Sequence, residues 1–189
     1  MPPMSIKYIS DLNIDESWTL FLDRDGVINE LLPNEYVTKW EKFEFREGAL
    51  EAIKKLSSLF GKTFIATNQR GIARNLMTEE DLDDIHLKML KEIESNGGRI
   101  EKIYYCPHEI SDYCDCRKPL TGLAEQAKYD YPGISFESSV MIGDSASDIQ
   151  FGKSLNMRTI LMTDNDTDAD ITADFHYSDL RSIIRDLNI

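Results

Sequence analysis

Short apolar runs alternate along the chain with longer segments whose apolar residues recur at helical spacing. The runs predict strands at residues 19–23, 62–67, 101–105, 139–143 and 158–162, with a short sixth strand at 173–176. The longer segments predict helices at about 50–59, 78–96, 121–130, 148–155 and 178–187, with Thr78 and Ser178 as N-caps. Strands that alternate with helices indicate an α/β fold, a doubly wound parallel sheet in a three-layer sandwich.

The spacing of these elements also predicts the domain organisation. A length of 189 residues fits one domain with a sizeable core. No insertion between predicted strands is long enough for a separate cap domain, so we expect one capless domain over residues 1–189. The longest predicted connection without a helix spans 24–46. Within it, the loop or short hairpin at 30–46 carries several aromatic residues that we interpret as local core.

The first predicted strand ends abruptly in two acids, Asp23 and Asp25, followed by Gly26. At spacing i and i+2 near a strand end, both carboxylates point to the same side. Such a pair repels unless a cation or a shared proton relieves it, and Mg²⁺ prefers oxygen ligands. A carboxylate bound to magnesium can also attack phosphorus and form an aspartyl-phosphate. The alternative for this motif alone is a turn with two solvated acids.

Three further polar motifs follow predicted strands or precede helices. Thr67 and the adjoining loop end the second strand, and a Thr hydroxyl with backbone N–H groups can hold phosphate. Lys118 enters the third helix and supplies the charge that phosphoryl transfer needs. Asp144 ends the fourth strand, where it could complete a Mg²⁺ site with Asp23. Taken singly, each fits an ordinary polar loop, a solvated basic pair or a helix N-cap acid.

All three cysteines of the chain fall within eleven residues, beside one histidine. Three thiolates and one imidazole form a closed tetrahedral Zn²⁺ set, which is typical of a structural site. The spacing therefore predicts a zinc-binding loop at 106–116 that ends directly before Arg117 and Lys118, although three free thiols remain the alternative. The proposed ligands are Cys106, His108, Cys114 and Cys116.

The formal net charge of −13 disfavours nucleic acid and anionic membranes as partners. A phosphate site must then be locally positive, through a metal, Lys or Arg. No apolar stretch approaches a membrane span and no signal peptide precedes the first strand, so a cytoplasmic protein is expected. We also expect a monomer.

Together the motifs DxDGxxN, TNQxGIAR, CRKP and GDxxxD, in this order, resemble the haloacid dehalogenase superfamily of Mg²⁺-dependent phosphohydrolases. The closer resemblance is to its heptose-bisphosphate and histidinol-phosphate phosphatase branch, which carries the same zinc loop. It covers about residues 19–162 and implies a Rossmann-like fold and a small phosphorylated metabolite as substrate.

The resemblance also implies a role for each motif residue. Asp23 would be the nucleophile, and Asp25 the general acid and then base, kept protonated by its neighbouring carboxylate. Mg²⁺ would be bound by Asp23, the backbone carbonyl of Asp25, and Asp144. The residues expected to hold the phosphoryl oxygens or reach the rest of the substrate are Thr67, Asn68, Gln69, Arg70, Arg117 and Lys118.

The motifs indicate two different substrates within this branch. The TNQxGIAR motif is similar to the heptose enzymes, whereas the short zinc loop is more similar to histidinol-phosphate phosphatases. Arg70 and Ser145 stand where heptose enzymes usually carry Ser and Lys. An Arg-rich floor suits a second phosphate, which favours D-glycero-D-manno-heptose 1,7-bisphosphate with hydrolysis at the 7-phosphate.

Two non-enzymatic alternatives remain at this point. A phospho-accepting receiver-like domain also uses acids, Thr and Lys on a parallel sheet, but it needs neither Asp25 nor a zinc loop. A zinc-stabilised interaction module with an inactive site would retain the fold without Mg²⁺-dependent turnover.

Overall fold

The computed structural model describes residues 7–163 and 171–189. Within these ranges six parallel strands form one sheet in the order β3-β2-β1-β4-β5-β6. The strands are β1 (Thr19–Leu22), β2 (Lys62–Asn68), β3 (Lys102–Cys106), β4 (Ser139–Gly143), β5 (Arg158–Met162) and β6 (Phe175–Tyr177). The helices are α1 (Ala49–Leu59), α2 (Glu79–Ser95), α3 (Gly122–Asp130), α4 (Ala146–Ser154) and α5 (Leu180–Asp186).

Helices cover both faces of the sheet. Successive strand residues point to opposite sides, and both sides carry apolar residues that the helices bury. On one face Leu20 and Leu22 of β1 pack in a core with α1, α2 and α5. On the other face Phe21 packs in a second core with α3 and α4. These two cores confirm the predicted doubly wound, three-layer arrangement.

Most predicted elements are present, with small shifts at their ends. Thr78 caps α2 as expected, because its hydroxyl accepts a hydrogen bond from the Asp81 N–H at 3.1 Å. The prediction that Ser178 caps the last helix is wrong. Asp179 takes this place, and its carboxylate accepts from the Ser182 N–H at 2.7 Å because a short acidic side chain reaches the free amides of the first turn.

The loop at residues 30–46 is anchored by an aromatic cluster. The Trp40 and Phe43 rings stack at a centroid distance of 5.0 Å, and Phe43 meets Phe45 edge-on at 4.9 Å. All three pack against the core on the α1, α2 and α5 face of the sheet, which confirms them as local core.

The chain order of the sheet reverses at β1, which lies between β2 and β4. In open α/β sheets ligands bind at the carboxyl ends of the strands beside such a reversal. Asp23 follows β1 and Asp144 follows β4, so the sheet brings them to one crevice. None of the helices in the described ranges has both the length and the apolar character that a bilayer crossing requires.

Candidate active site and zinc site

The turn after β1 places Asp23 against Asp144. Gly26 makes this approach possible, since its φ is +81° and a Cβ built there would lie only 1.9 Å from Asp144 Oδ2. Arg46 supports the same turn by donating a hydrogen bond from Nη1 to the Gly26 carbonyl at 2.5 Å. The glycine is therefore required both for its backbone conformation and for the space beside the carboxylate.

Lys118 lies buried at the centre of the crevice. Its ammonium is 2.9 Å from Asp23 Oδ1 and 2.5 Å from Asp148 Oδ1, and it donates to the Ala66 carbonyl at 2.6 Å. Burial alone would lower the pKa of this lysine, but the two carboxylates outweigh burial and raise the pKa. Lys118 is thus a fixed positive charge beside the proposed nucleophile.

The carboxylates around Lys118 are electrostatically strained in the absence of a cation. The pKa of Asp23 is raised to about 6, chiefly by burial and further by the charges of Asp148 and Asp25, against the opposing effect of Lys118. Burial and the charges of Asp23 and Asp148 raise the pKa of Asp144 to about 7. Like charges held this close in a buried place favour a bound cation.

The donor set also fits a divalent ion. Carboxylate oxygens of Asp23, Asp144 and Asp148 lie within 4.8 Å of one another. Three carboxylates against the single ammonium of Lys118 leave two formal negative charges, which Mg²⁺ would neutralise. Mg²⁺ prefers oxygen ligands of this kind and usually completes its octahedral shell with water and substrate phosphate.

Asp25 is held by three donors on the other side of the turn. Arg24 Nη2 lies 2.9 Å from both of its carboxylate oxygens, Asn29 Nδ2 donates at 2.9 Å, and Gln69 Nε2 donates at 2.9 Å. Burial raises the pKa of Asp25, but Arg24 and the two amides outweigh burial, so the pKa is lowered. The expectation that a neighbouring carboxylate keeps Asp25 protonated therefore does not hold here, because the adjacent guanidinium dominates.

The loop after β2 contributes to the site in two ways. The buried Thr67 hydroxyl accepts from Gln69 Nε2 at 2.9 Å, which links the loop to Asp25. The Asn68 amide pairs with the main chain of Lys118, accepting from its N–H at 3.0 Å and donating to its carbonyl at 3.1 Å. Asn68 thus fixes the lysine, a contact that the sequence did not indicate.

The loop between β3 and α3 gathers the four predicted zinc ligands. Sγ of Cys106 lies 3.6 Å from Sγ of Cys114 and 3.7 Å from His108 Nδ1, which is 3.2 Å from Sγ of Cys116. Zinc–sulfur bonds of about 2.3 Å in a tetrahedron would separate two sulfurs by about 3.8 Å. The four donors therefore lie near the corners that one Zn²⁺ would require.

Two arginines of the loop after β2 lie against the predicted zinc loop. Glu109, in the zinc loop, pairs with Arg70 at 3.1 Å and with Arg74 at 2.9 Å, and the Tyr36 hydroxyl accepts from Arg70 at 3.2 Å. A cleft of about 460 Å³ opens between this loop and the lysine. Its lining includes Asn68, Glu109, Tyr113, Arg117, Lys118 and Ser147.

Comparison with known proteins agrees with this geometry. A family model described as HAD-hydrolase-like matches residues 115–188. The chain is 40% identical over 147 residues to the D-glycero-alpha-D-manno-heptose-1,7-bisphosphate 7-phosphatase of Campylobacter jejuni, covering 78% of this chain and 83% of that protein. The chain belongs to the heptose-bisphosphate phosphatase branch of the haloacid dehalogenase superfamily.

Other members of this superfamily extend the comparison. The D-glycero-beta-D-manno-heptose-1,7-bisphosphate 7-phosphatase of Helicobacter pylori is 38% identical over 151 residues, with 77% of this chain and 83% of that protein covered. A solved structure of the D,D-heptose 1,7-bisphosphate phosphatase from B. bronchiseptica, complexed with magnesium and phosphate, superposes with a TM-score of 0.80. It is 28% identical, and the match covers 90% of this chain and 98% of that one.

Sequence reasoning missed two residues of this haloacid dehalogenase site. Arg24 stands between the two acids and is completely buried beside Asp25. His86 of α2 is buried with its Nε2 3.2 Å from Arg24 Nη1. The position of Arg24 between the two acids of the motif could have indicated its role, whereas nothing in the sequence indicated His86.

Proposed function

We propose that this protein is a Mg²⁺-dependent phosphatase that removes the 7-phosphate of D-glycero-D-manno-heptose 1,7-bisphosphate. The observation that carries this proposal is the juxtaposition of Asp23, Lys118 and Asp144 at the carboxyl ends of β1 and β4. It is supported by relatives at 38–40% identity that are named as 7-phosphatases of this sugar.

In the first chemical step an oxygen of Asp23 attacks phosphorus, and the bond from phosphorus to the sugar oxygen breaks. The sugar oxygen leaves with a proton supplied by Asp25, and an aspartyl-phosphate remains. In the second step water attacks that phosphorus and loses its proton to Asp25, which frees Asp23 and releases phosphate. Lys118, fixed beside Asp23, balances the charge on the phosphoryl oxygens in both steps.

The lowered pKa of Asp25 suits the second step, in which it must accept a proton. For the first step Asp25 must carry a proton. Binding of an anionic phosphate brings negative charge next to Asp25, which raises its pKa and favours proton uptake. Asp25 therefore takes up its proton with the substrate rather than in the free protein.

Asp23, Asp144 and the backbone carbonyl of Asp25 would hold Mg²⁺, with Asp148 oriented by Lys118 beside them. When bound, the ion supplies positive charge to the phosphoryl oxygens. The carboxylates are positioned for this role by the Gly26 turn and by the start of α4.

A structural Zn²⁺ on the zinc loop would fix the approach to the lysine. Arg117 Nη1 donates to the His108 carbonyl at 3.5 Å, so the loop contacts the residue directly before Lys118. With no separate cap in the residues that the structure describes, this loop and the 30–46 loop would form the walls around the sugar. Arg117 lines the cleft, and Arg70 contacts Glu109 of the same cleft, so both would suit a second phosphate.

Phosphate release with Mg²⁺ tests the proposal. The panel holds both anomers of heptose 1,7-bisphosphate, histidinol phosphate and simple sugar phosphates, because relatives with either anomer in their names match the chain. We expect the bisphosphate to be preferred, with phosphorus NMR showing a product that retains the 1-phosphate. Asp23→Asn should be inactive and the exposed-site control Asp83→Asn should be active.

Two outcomes would contradict this assignment. A preference for histidinol phosphate would mean that histidinol phosphate, not the heptose bisphosphate, is the substrate. The length of the zinc loop would then predict the substrate better than the TNQxGIAR motif does. A protein that accepts phosphate but never releases it would instead be a receiver-like domain.

A further inference from the structure

Arg24 is the largest completely buried side chain in the described part of the chain. Its Nη2 donates to both oxygens of Asp25 at 2.9 Å, and its Nε lies 3.3 Å from Asp25 Oδ1. The N–H donors of a buried guanidinium require acceptors, because a buried charged donor without a hydrogen bond destabilises the fold. The Nη1 group points away from Asp25 and needs an acceptor of its own.

His86 supplies that acceptor from the middle of α2. Its Nε2 lies 3.2 Å from Arg24 Nη1, and its ring meets Tyr105 nearly edge-on at a centroid distance of 6.0 Å. Burial and the adjacent Arg24 charge lower the pKa of His86 to about 3, against a smaller opposing effect of Asp25. The imidazole is therefore neutral, and the nitrogen that faces the guanidinium accepts.

We propose that His86 is a positioning residue for Asp25, acting through Arg24, and this inference rests on the proposed phosphatase function. The chain of contacts runs from α2 through His86 and Arg24 to the carboxylate that exchanges protons with the substrate. Arg24 is the charged member of the set that holds Asp25, whereas Asn29 and Gln69 are neutral amides. The hydrogen bond from Nη1 to His86 holds the guanidinium plane in place. The orientation of Nε and Nη2 toward Asp25 is thereby fixed.

Proton transfer depends closely on geometry, so a small shift of Asp25 reduces its transfer to the leaving oxygen. Attack by Asp23 does not depend on this carboxylate. The effect of losing His86 must therefore depend on the leaving group. A sugar alkoxide requires a proton as it leaves, whereas nitrophenolate leaves as a stable anion.

The test compares His86→Leu with His86→Gln, whose amide oxygen can accept from Arg24 in place of the imidazole. Single-turnover reactions with excess enzyme and Mg²⁺ use the heptose bisphosphate and p-nitrophenyl phosphate. General acid catalysis contributes about 10²–10⁴-fold, so we expect His86→Leu to slow cleavage of the sugar phosphate by about tenfold or more. Release of nitrophenolate should change by less than about threefold, and His86→Gln should recover most of the sugar-phosphate rate.

Equal losses on both substrates, or no difference between Leu and Gln, would overturn the positioning role. If His86→Leu does not fold, His86→Met fills similar space without a strong acceptor and is subject to the same criteria. Asp25→Asn serves as reference. If it shows no selective loss on the sugar phosphate, the acid role in the proposed function fails. If it shows that loss and the His86 variants do not, only the inference about His86 fails.

Discussion

Asp144→Asn should make the metal-free protein more stable while it removes a proposed Mg²⁺ ligand. An ordinary aspartate has a pKa of 3.8, and that of Asp144 is raised to about 7 by burial and by Asp23 and Asp148. The folded state therefore binds more protons than the unfolded state between about pH 4 and pH 7. Its stability falls as the pH rises through this window.

The magnitude follows from the size of the pKa difference. One pKa unit corresponds to about 1.4 kcal/mol, so ionised Asp144 destabilises the metal-free fold by about 4 kcal/mol at pH 8. Asparagine keeps the shape without the charge, but it also loses the attraction of Lys118. We expect a gain of roughly 2–4 kcal/mol at pH 8 and little gain at pH 4, where Asp144 is protonated in the folded state.

Urea denaturation in EDTA at the two pH values measures this difference. Added Mg²⁺ should stabilise the wild-type protein at pH 8 by binding to the folded state, and stabilise Asp144→Asn much less. Asp83→Asn, an exposed substitution on α2, is the matched control and should change stability little at either pH. A metal-free Asp144→Asn protein that is no more stable than wild type at pH 8 would refute the electrostatic reasoning.

Three further changes probe other parts of the site. Lys118→Met leaves two buried carboxylates without their ammonium, so the unfolding free energy should fall by about 3–5 kcal/mol in urea denaturation. The control Lys91→Met, at an exposed position of α2, should change the unfolding free energy little. Gly26→Ala clashes with the carboxylate opposite and should raise the Mg²⁺ concentration needed for half-maximal turnover at least about tenfold, and an unchanged requirement would contradict the packing. Metal analysis should find one zinc per chain, lost in Cys116→Ser together with most of the activity. Full activity of the zinc-free protein would contradict the proposal that the zinc loop holds Lys118 in position.

The sheet and the main site residues could be predicted because each lies in a local pattern. Asp23 and Asp144 each follow a short apolar strand, and parallel strands bring their carboxyl ends to one edge. The four predicted zinc ligands lie within eleven residues, so chain spacing alone nearly determines their proximity.

Contacts between distant elements could not be predicted in the same way. His86 lies on α2, and only the packing of that helix against the β1 turn brings it to Arg24. The expected protonation of Asp25 is wrong for a different reason. Arg24 is the sequence neighbour of Asp25, but the sequence does not show which way its guanidinium turns, and the fold turns it onto the Asp25 carboxylate. The pairing of Asn68 with the main chain of Lys118 joins residues fifty positions apart.

The proposed mechanism requires a covalent phosphoryl group on Asp23, and this intermediate can be trapped. In Asp25→Asn the first step with p-nitrophenyl phosphate can proceed without an acid, whereas hydrolysis of the intermediate lacks its base. Acid-quenched protein should gain the mass of one phosphoryl group on the peptide that contains Asp23, and Asp23→Asn should gain none. Turnover by the wild-type protein with no such adduct in Asp25→Asn, or an adduct on another residue, would contradict the mechanism.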